Sequence, residues 1–81
     1  MINVLFFARV RELAGRSELK VASVYPDVDA LHQHLVTLDD PLVLALEKEK
    51  LLVAVNQTLV SFSHPLNDGD EVAFFPPVTG G

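Results

Sequence analysis

The residues with the clearest chemical potential are the last two, Gly80 and Gly81, and the carboxylate that follows them. Neither glycine has a Cβ, so a narrow channel can accept both and their backbone can bend freely. The carboxylate has a reference pKa of roughly 3.3–3.7 and is ionised at neutral pH. An ionised carboxylate is a poor acyl donor. Activated as an acyl-adenylate, it would accept sulfur and become a thiocarboxylate, a good nucleophile. The chain has no cysteine, which excludes disulfides, thiolate metal sites and a thiol nucleophile. Sulfur on this terminus would therefore come from outside.

No side-chain cluster competes with that group. His32 and His34 stand two apart on an expected helix and diverge, and His64 sits near a turn. They read as solvated polar residues, and no metal site is expected. Asp68 and Asp70 flank Gly69, where turn chemistry accounts for them better than an acid/base pair. Arg9 and Arg11 read as a solvated face, with contacts to acidic partner groups as the alternative. Asn56-Gln57-Thr58 fits a glycosylation pattern, but no secretory signal accompanies it.

A Gly-Gly ending alone also fits a passive, frayed tail. The residues before it make the stronger case. No charged side chain follows Glu71. Pro76 and Pro77 fix two φ angles and bias Phe75 towards an extended conformation, so the chain leaves its last strand in a set direction. Pro76 to Gly81 can reach about 20 Å when extended, enough to enter another protein's active site.

The elements that must hold this tail follow from patterning. Ile2 to Ala8 is strand-like, with Ile2, Val4 and Phe6 on one face and Leu5 and Phe7 on the other. Arg9 to Gly15 is a turn or one short helical turn, and Glu18 to Val24 returns as a second strand. Asp27 caps a helix whose stripe is Val28, Leu31, Leu35 and Leu38. Asp40 caps a short second helix carrying Leu42, Ala45 and Leu46. Leu51–Val55 and Thr58–Phe62 are strands joined at Asn56-Gln57. A turn over residues 65–70 precedes the last strand, Glu71–Phe75, which Pro76-Pro77 ends.

If the first and last strands pair, they run parallel with the helix as crossover. The expected fold is therefore α+β: a mixed five-stranded β-grasp, or ubiquitin-like, sheet with one main helix and a short second helix. Residues 1–75 form the domain and residues 76–81 a flexible, extended C-terminal tail. In strand phase, Phe6 and Phe74 belong to the core, while Phe7 and Phe75 face outward and Leu59 joins them as an apolar patch for a partner.

Size and charge narrow the class further. The 81 residues make one domain with a thin core. Hydrophobic content of 49% and charged content of 21% describe a folded chain. A net charge of −5 disfavours nucleic acid and suits a basic protein partner. The apolar start has no basic segment before it and is too short for a signal or a membrane span, which fits the cytoplasm.

The segment from Asp68 to Gly81, ending Phe74-Phe75-Pro76-Pro77-Val78-Thr79-Gly80-Gly81, resembles the C-terminus of the small, sulfur-carrying subunits of molybdopterin synthase, the MoaD family. Val4-Leu5-Phe6-Phe7-Ala8 with Arg11-Glu12-Leu13, and Val53-Ala54-Val55-Asn56-Gln57, are similar to it too. The likeness spans the chain in length and order, although residues 16–24 and 36–50 contribute nothing to it.

The resemblance implies a non-catalytic carrier. Gly81 would be adenylated by an adenylyltransferase similar to ubiquitin-activating enzymes, at the expense of ATP. It would then be converted to a thiocarboxylate with sulfur from a donor such as a persulfide protein. Pro76, Pro77, Val78, Thr79 and Gly80 would enter the large subunit of a heterotetramer of two small and two large subunits. There the sulfur would build the dithiolene of molybdopterin on a cyclic pyranopterin monophosphate. No cofactor would be held permanently. The rival readings are a sulfur carrier for thiamine synthesis or tRNA thiolation, and a ubiquitin-like modifier or interaction module.

Overall fold

Alternating apolar residues place the two ends of the chain side by side. Strand β1 (Ile2–Phe6) buries Ile2, Val4 and Phe6, and strand β5 (Glu71–Phe75) buries Val72 and Phe74. In the computed structural model, which describes residues 1–77, the two strands pair in parallel with Val4 opposite Val72 and Phe6 opposite Phe74. The Phe6 and Phe74 rings stack at 6.5 Å between centroids. Strand β2 (Glu18–Val21) pairs antiparallel with β1, strand β3 (Leu52–Val55) with β5, and strand β4 (Thr58–Val60) with β3. The sheet order is β2-β1-β5-β3-β4, a mixed five-stranded β-grasp sheet as the patterning implies.

Helix α2 (Val28–Leu35) covers the inner face. Val28, Leu31 and Leu35 are fully buried, and the Asp27 side chain accepts a hydrogen bond from the Ala30 N–H at 2.8 Å. Leu38, expected on the same stripe, is instead exposed. The helix has ended at Leu35, and the Leu38 N–H donates to the Leu35 carbonyl in a tighter closing turn. Leu42 and Leu46 fill the core beyond that point.

Helix α3 (Asp40–Ala45) is capped by Asp39, not by Asp40. One Asp39 carboxylate oxygen accepts from the Leu42 N–H at 3.1 Å and the other pairs with Arg16 at 2.7 Å. Asp40 is thus a first-turn residue, where its charge meets the positive helix end. A 3-10 turn (Lys48–Lys50) leads into β3.

The segment after β1 is more ordered than the sequence suggests. It forms helix α1 (Ala8–Ala14), which buries Val10 and Ala14 one turn apart and packs on α3. Gly15, at φ +74°, closes it with an N–H donated to the Arg11 carbonyl. Strand β2 stops at Val21 and β4 at Val60, both short of expectation. Beyond β4 the backbone serves α2 instead of the sheet: the carbonyls of Phe62 and His64 accept the N–H groups of Asp29 and Val28. These groups lack partners within the helix.

His32 is the clearest departure. It is buried, not solvated, with Nε2 2.7 Å from the Leu46 carbonyl and its ring edge-on to Phe62. It ties α2 to the segment after α3.

Candidate functional site

Side chains on successive strand residues point to opposite faces, so the register assigns the outer face of the sheet directly. With Phe6, Phe74, Val53 and Val60 turned inward, one outward row runs Leu5, Ala73, Ala54, Leu59 across β1, β5, β3 and β4. The next row holds Phe75 opposite Leu52. Phe7, just past the end of β1, continues that row, because its N–H donates to the Phe74 carbonyl at 3.1 Å. Phe7, Leu59 and Phe75 therefore share one face. At about 4.8 Å between strands, the patch spans about 14 Å from β1 to β4.

The exposures match this placement. Leu59 is 63% and Phe7 47% exposed, while Phe75 is half-buried between its neighbours. Ala73 and Ala54 make the centre shallow between the larger side chains. The opposite end of the same face is polar, with Lys20 and Glu71 flanking Asn3. Because β1 and β5 are parallel, the apolar end of the face is also the end from which Pro76 leaves the sheet. The half-buried Pro76 and the exposed Pro77 then begin the tail. Val78, Thr79, Gly80 and Gly81, expected to carry the reaction and to enter a partner's channel, lie outside the described residues.

Two supports hold this face in place. Asn56 and Gln57 both have positive φ, +51° and +69°, which is the backbone of a two-residue type I′ hairpin turn. The Asn56 amide also clamps the start of β5, accepting from the Glu71 N–H at 3.0 Å and donating to Asp70 at 2.9 Å. Leu59 is thereby fixed relative to Phe75. At the other side, Ala8 takes φ +53° to turn the chain from β1 into α1, leaving Phe7 on the outer face.

Several charged groups elsewhere hold the fold together. The Asp68 carboxylate is held below the usual carboxylate range by hydrogen bonds from the N-terminal ammonium and Ser23. Asp29 is lowered chiefly by its hydrogen bond from Lys48, which also lies over the Phe62 ring. Asp70 accepts from the Asn67 N–H within its turn, so Asp68 and Asp70 do the turn work expected of them. Among the described residues no three His, Asp or Glu side chains gather as metal ligands, and no helix is long and apolar enough to cross a membrane.

Sequence reasoning named Phe7, Leu59 and Phe75 on this face and put Leu5 beside Phe7, but did not name three others. Leu52, Ala54 and Ala73 were legible in the same alternation, had the strands been laid in register. A groove beside the tail root was not legible at all. It encloses about 380 Å³, and its lining includes Arg9 and Leu13 of α1, Leu44 of α3, Glu47, Lys50, Pro76 and Pro77.

Among the described residues the platform assembles no catalytic side chains. Comparison with known proteins identifies the family. The ThiS family model matches residues 4–81. The molybdopterin synthase sulfur carrier subunit of Escherichia coli K12 is 67% identical over 81 residues, all of both chains. Among solved structures, the putative molybdopterin converting factor subunit 1 of Pyrococcus furiosus is 30% identical with a TM-score of 0.73, covering 95% of this chain and 97% of that one. The complex of subunits 1 and 2 of the molybdopterin-converting factor from Helicobacter pylori includes a chain of the same fold. That chain has a TM-score of 0.68 at 24% identity, covering 99% of this chain and 97% of that one.

Proposed function

This chain belongs to the ThiS family, and on that footing we propose that it is the sulfur carrier subunit of a molybdopterin synthase. The observation that carries the reading is 67% identity, with no part of either chain left over, to a protein of that name. The chain is a carrier and not an enzyme by itself. Its fold supplies a rigid sheet, an apolar face and a proline-directed exit for the tail.

In this reading Gly81 is the reacting residue. An adenylyltransferase couples its carboxylate to AMP with release of pyrophosphate. The outer sulfur of a donor, such as a persulfide protein, then displaces AMP to give an acyl disulfide, and a thiol outside this chain cleaves its S–S bond, leaving the thiocarboxylate on Gly81 and a disulfide on the donor. Gly80 and Thr79 pass through the channel of the large subunit, and Pro76 and Pro77 hold the approach. The thiocarboxylate sulfur bonds to the cyclic pyranopterin monophosphate, water cleaves the acyl C–S bond and returns Gly81 to a carboxylate, and a second loaded carrier supplies the other sulfur of the dithiolene. Phe7, Leu59 and Phe75 dock both partners in turn, which makes occupancy by the activating enzyme and by the large subunit mutually exclusive. The functional unit is a heterotetramer with two large subunits, working in the cytoplasm.

The test is intact mass after coexpression with the activating enzyme and a sulfur source. The expected species has one oxygen replaced by sulfur, located at Gly81 by fragmentation. Absence of that species while the activating enzyme turns over ATP counts against the reading. Genetic complementation separates it from its rivals: restored molybdoenzyme activity supports it, and restored thiamine prototrophy alone favours a carrier for the other pathway.

A further inference from the structure

Resting on the reading of Gly81 as the reacting residue, we propose that the groove between α1 and α3 is a second docking site. Its occupant is the rim of the large subunit's channel, offering an apolar side chain beside a carboxylate.

Reach is the first argument. The chain leaves its last described residue, Pro77, with four residues to Gly81, which span at most about 14 Å. A partner that buries a reacting centre at Gly81 must bring the mouth of its channel up to Pro77. Pro76 and Pro77 themselves line the groove, so the rim of that mouth lands on it.

Surface chemistry is the second. Leu44 is 62% exposed and Leu13 is also exposed, both beside the prolines. Phe75 on the outer sheet face precedes Pro76 directly, so the chain passes from that face to the groove within one residue. An exposed apolar patch of this kind marks an interface.

Charge is the third. The protein is acidic, at −5, yet the groove lining carries two cations, Arg9 and Lys50, against one anion, Glu47. Lys50 pairs with Glu47 at 3.6 Å, and Arg9 makes no ion pair among the described residues. Arg9 also sits in the first turn of α1, where the helix dipole disfavours a cation. It is exposed, and so open to a carboxylate brought by a partner.

The test measures affinity for the large subunit by calorimetry, using the wild-type chain, Leu44→Asp and Arg9→Gln. Leu44→Asp is expected to weaken binding at least tenfold. Arg9→Gln is expected to weaken it about threefold and to flatten its dependence on salt. Both side chains are exposed, so thermal midpoints should stay near that of the wild type. If Leu44→Asp does unfold the chain, Arg9→Gln still decides. Affinities within twofold of wild type for both variants, or losses confined to the activating enzyme, overturn the proposal. A wild-type chain that does not bind the large subunit at all overturns the carrier reading along with it.

Discussion

Truncating Leu59 to alanine should separate docking from folding. The side chain is 63% exposed in the free chain, so most of its apolar surface is still in water. Full burial of a leucine is worth about 1.5–3 kcal/mol, and the exposed part leaves about 1–2 kcal/mol to be gained on docking. Alanine keeps the Cβ, so the loss should be about 1–1.5 kcal/mol, or roughly five- to twelvefold in Kd for the large subunit. Folding should lose only about 0.5 kcal/mol, a shift of about 2–4 °C in Tm. Val53→Ala provides the contrast. Val53 lies on the same hairpin, but faces inward and is 1% exposed, so its truncation should cost about 2 kcal/mol of stability with little effect on Kd. Calorimetric titration and thermal melts read the two quantities. The reasoning fails if Leu59→Ala leaves Kd within twofold of wild type, or if it lowers Tm as much as Val53→Ala does.

Three further outcomes follow from the supporting structure. Gln57→Gly should raise stability by about 0.5 kcal/mol, because glycine occupies φ +69° without the cost a side chain pays there; a lower Tm would contradict the I′ assignment. Asp39→Ala removes a helix cap and a pair with Arg16, and should cost about 1–2 kcal/mol, seen as a Tm fall of about 5–10 °C. Asp29 and Asp68 both have lowered pKa values when folded, so their contribution is present above the ordinary value of 3.8 and is lost as the pH falls through the folded values. Asp68→Asn should therefore make the acid limb of the stability curve shallower below about pH 4 and leave its slope at neutral pH unchanged.

The inner face was readable because burial imposes a period. Ile2, Val4 and Phe6, Val72 and Phe74, and Val28, Leu31 and Leu35 all fall where alternation or helical spacing puts them. The parallel pairing of β1 with β5 followed from both strands being apolar enough to be central. What escaped depends on contacts between distant segments. Helix α1 was hard to see because its apolar residues, Val10 and Ala14, need α3 to pack against. His32 looks polar in isolation and becomes a core residue only because the Leu46 carbonyl takes its hydrogen bond. The cap moved from Asp40 to Asp39 because Arg16, far away in sequence, holds the second oxygen of Asp39. The same limit explains the outer face: Phe7, Phe75 and Leu59 were found by phase, whereas the groove at the tail root exists only once α1, α3 and the prolines meet.

The most direct test of the carrier account is a single-turnover transfer. The chain bearing a Gly81 thiocarboxylate is mixed with the large subunit and cyclic pyranopterin monophosphate, with no other sulfur source. The account predicts that molybdopterin forms in step with conversion of Gly81 back to a carboxylate, and that the unmodified chain supports no product. Product formed equally by the unmodified chain, or a thiocarboxylate that survives unchanged beside an active large subunit, would contradict it.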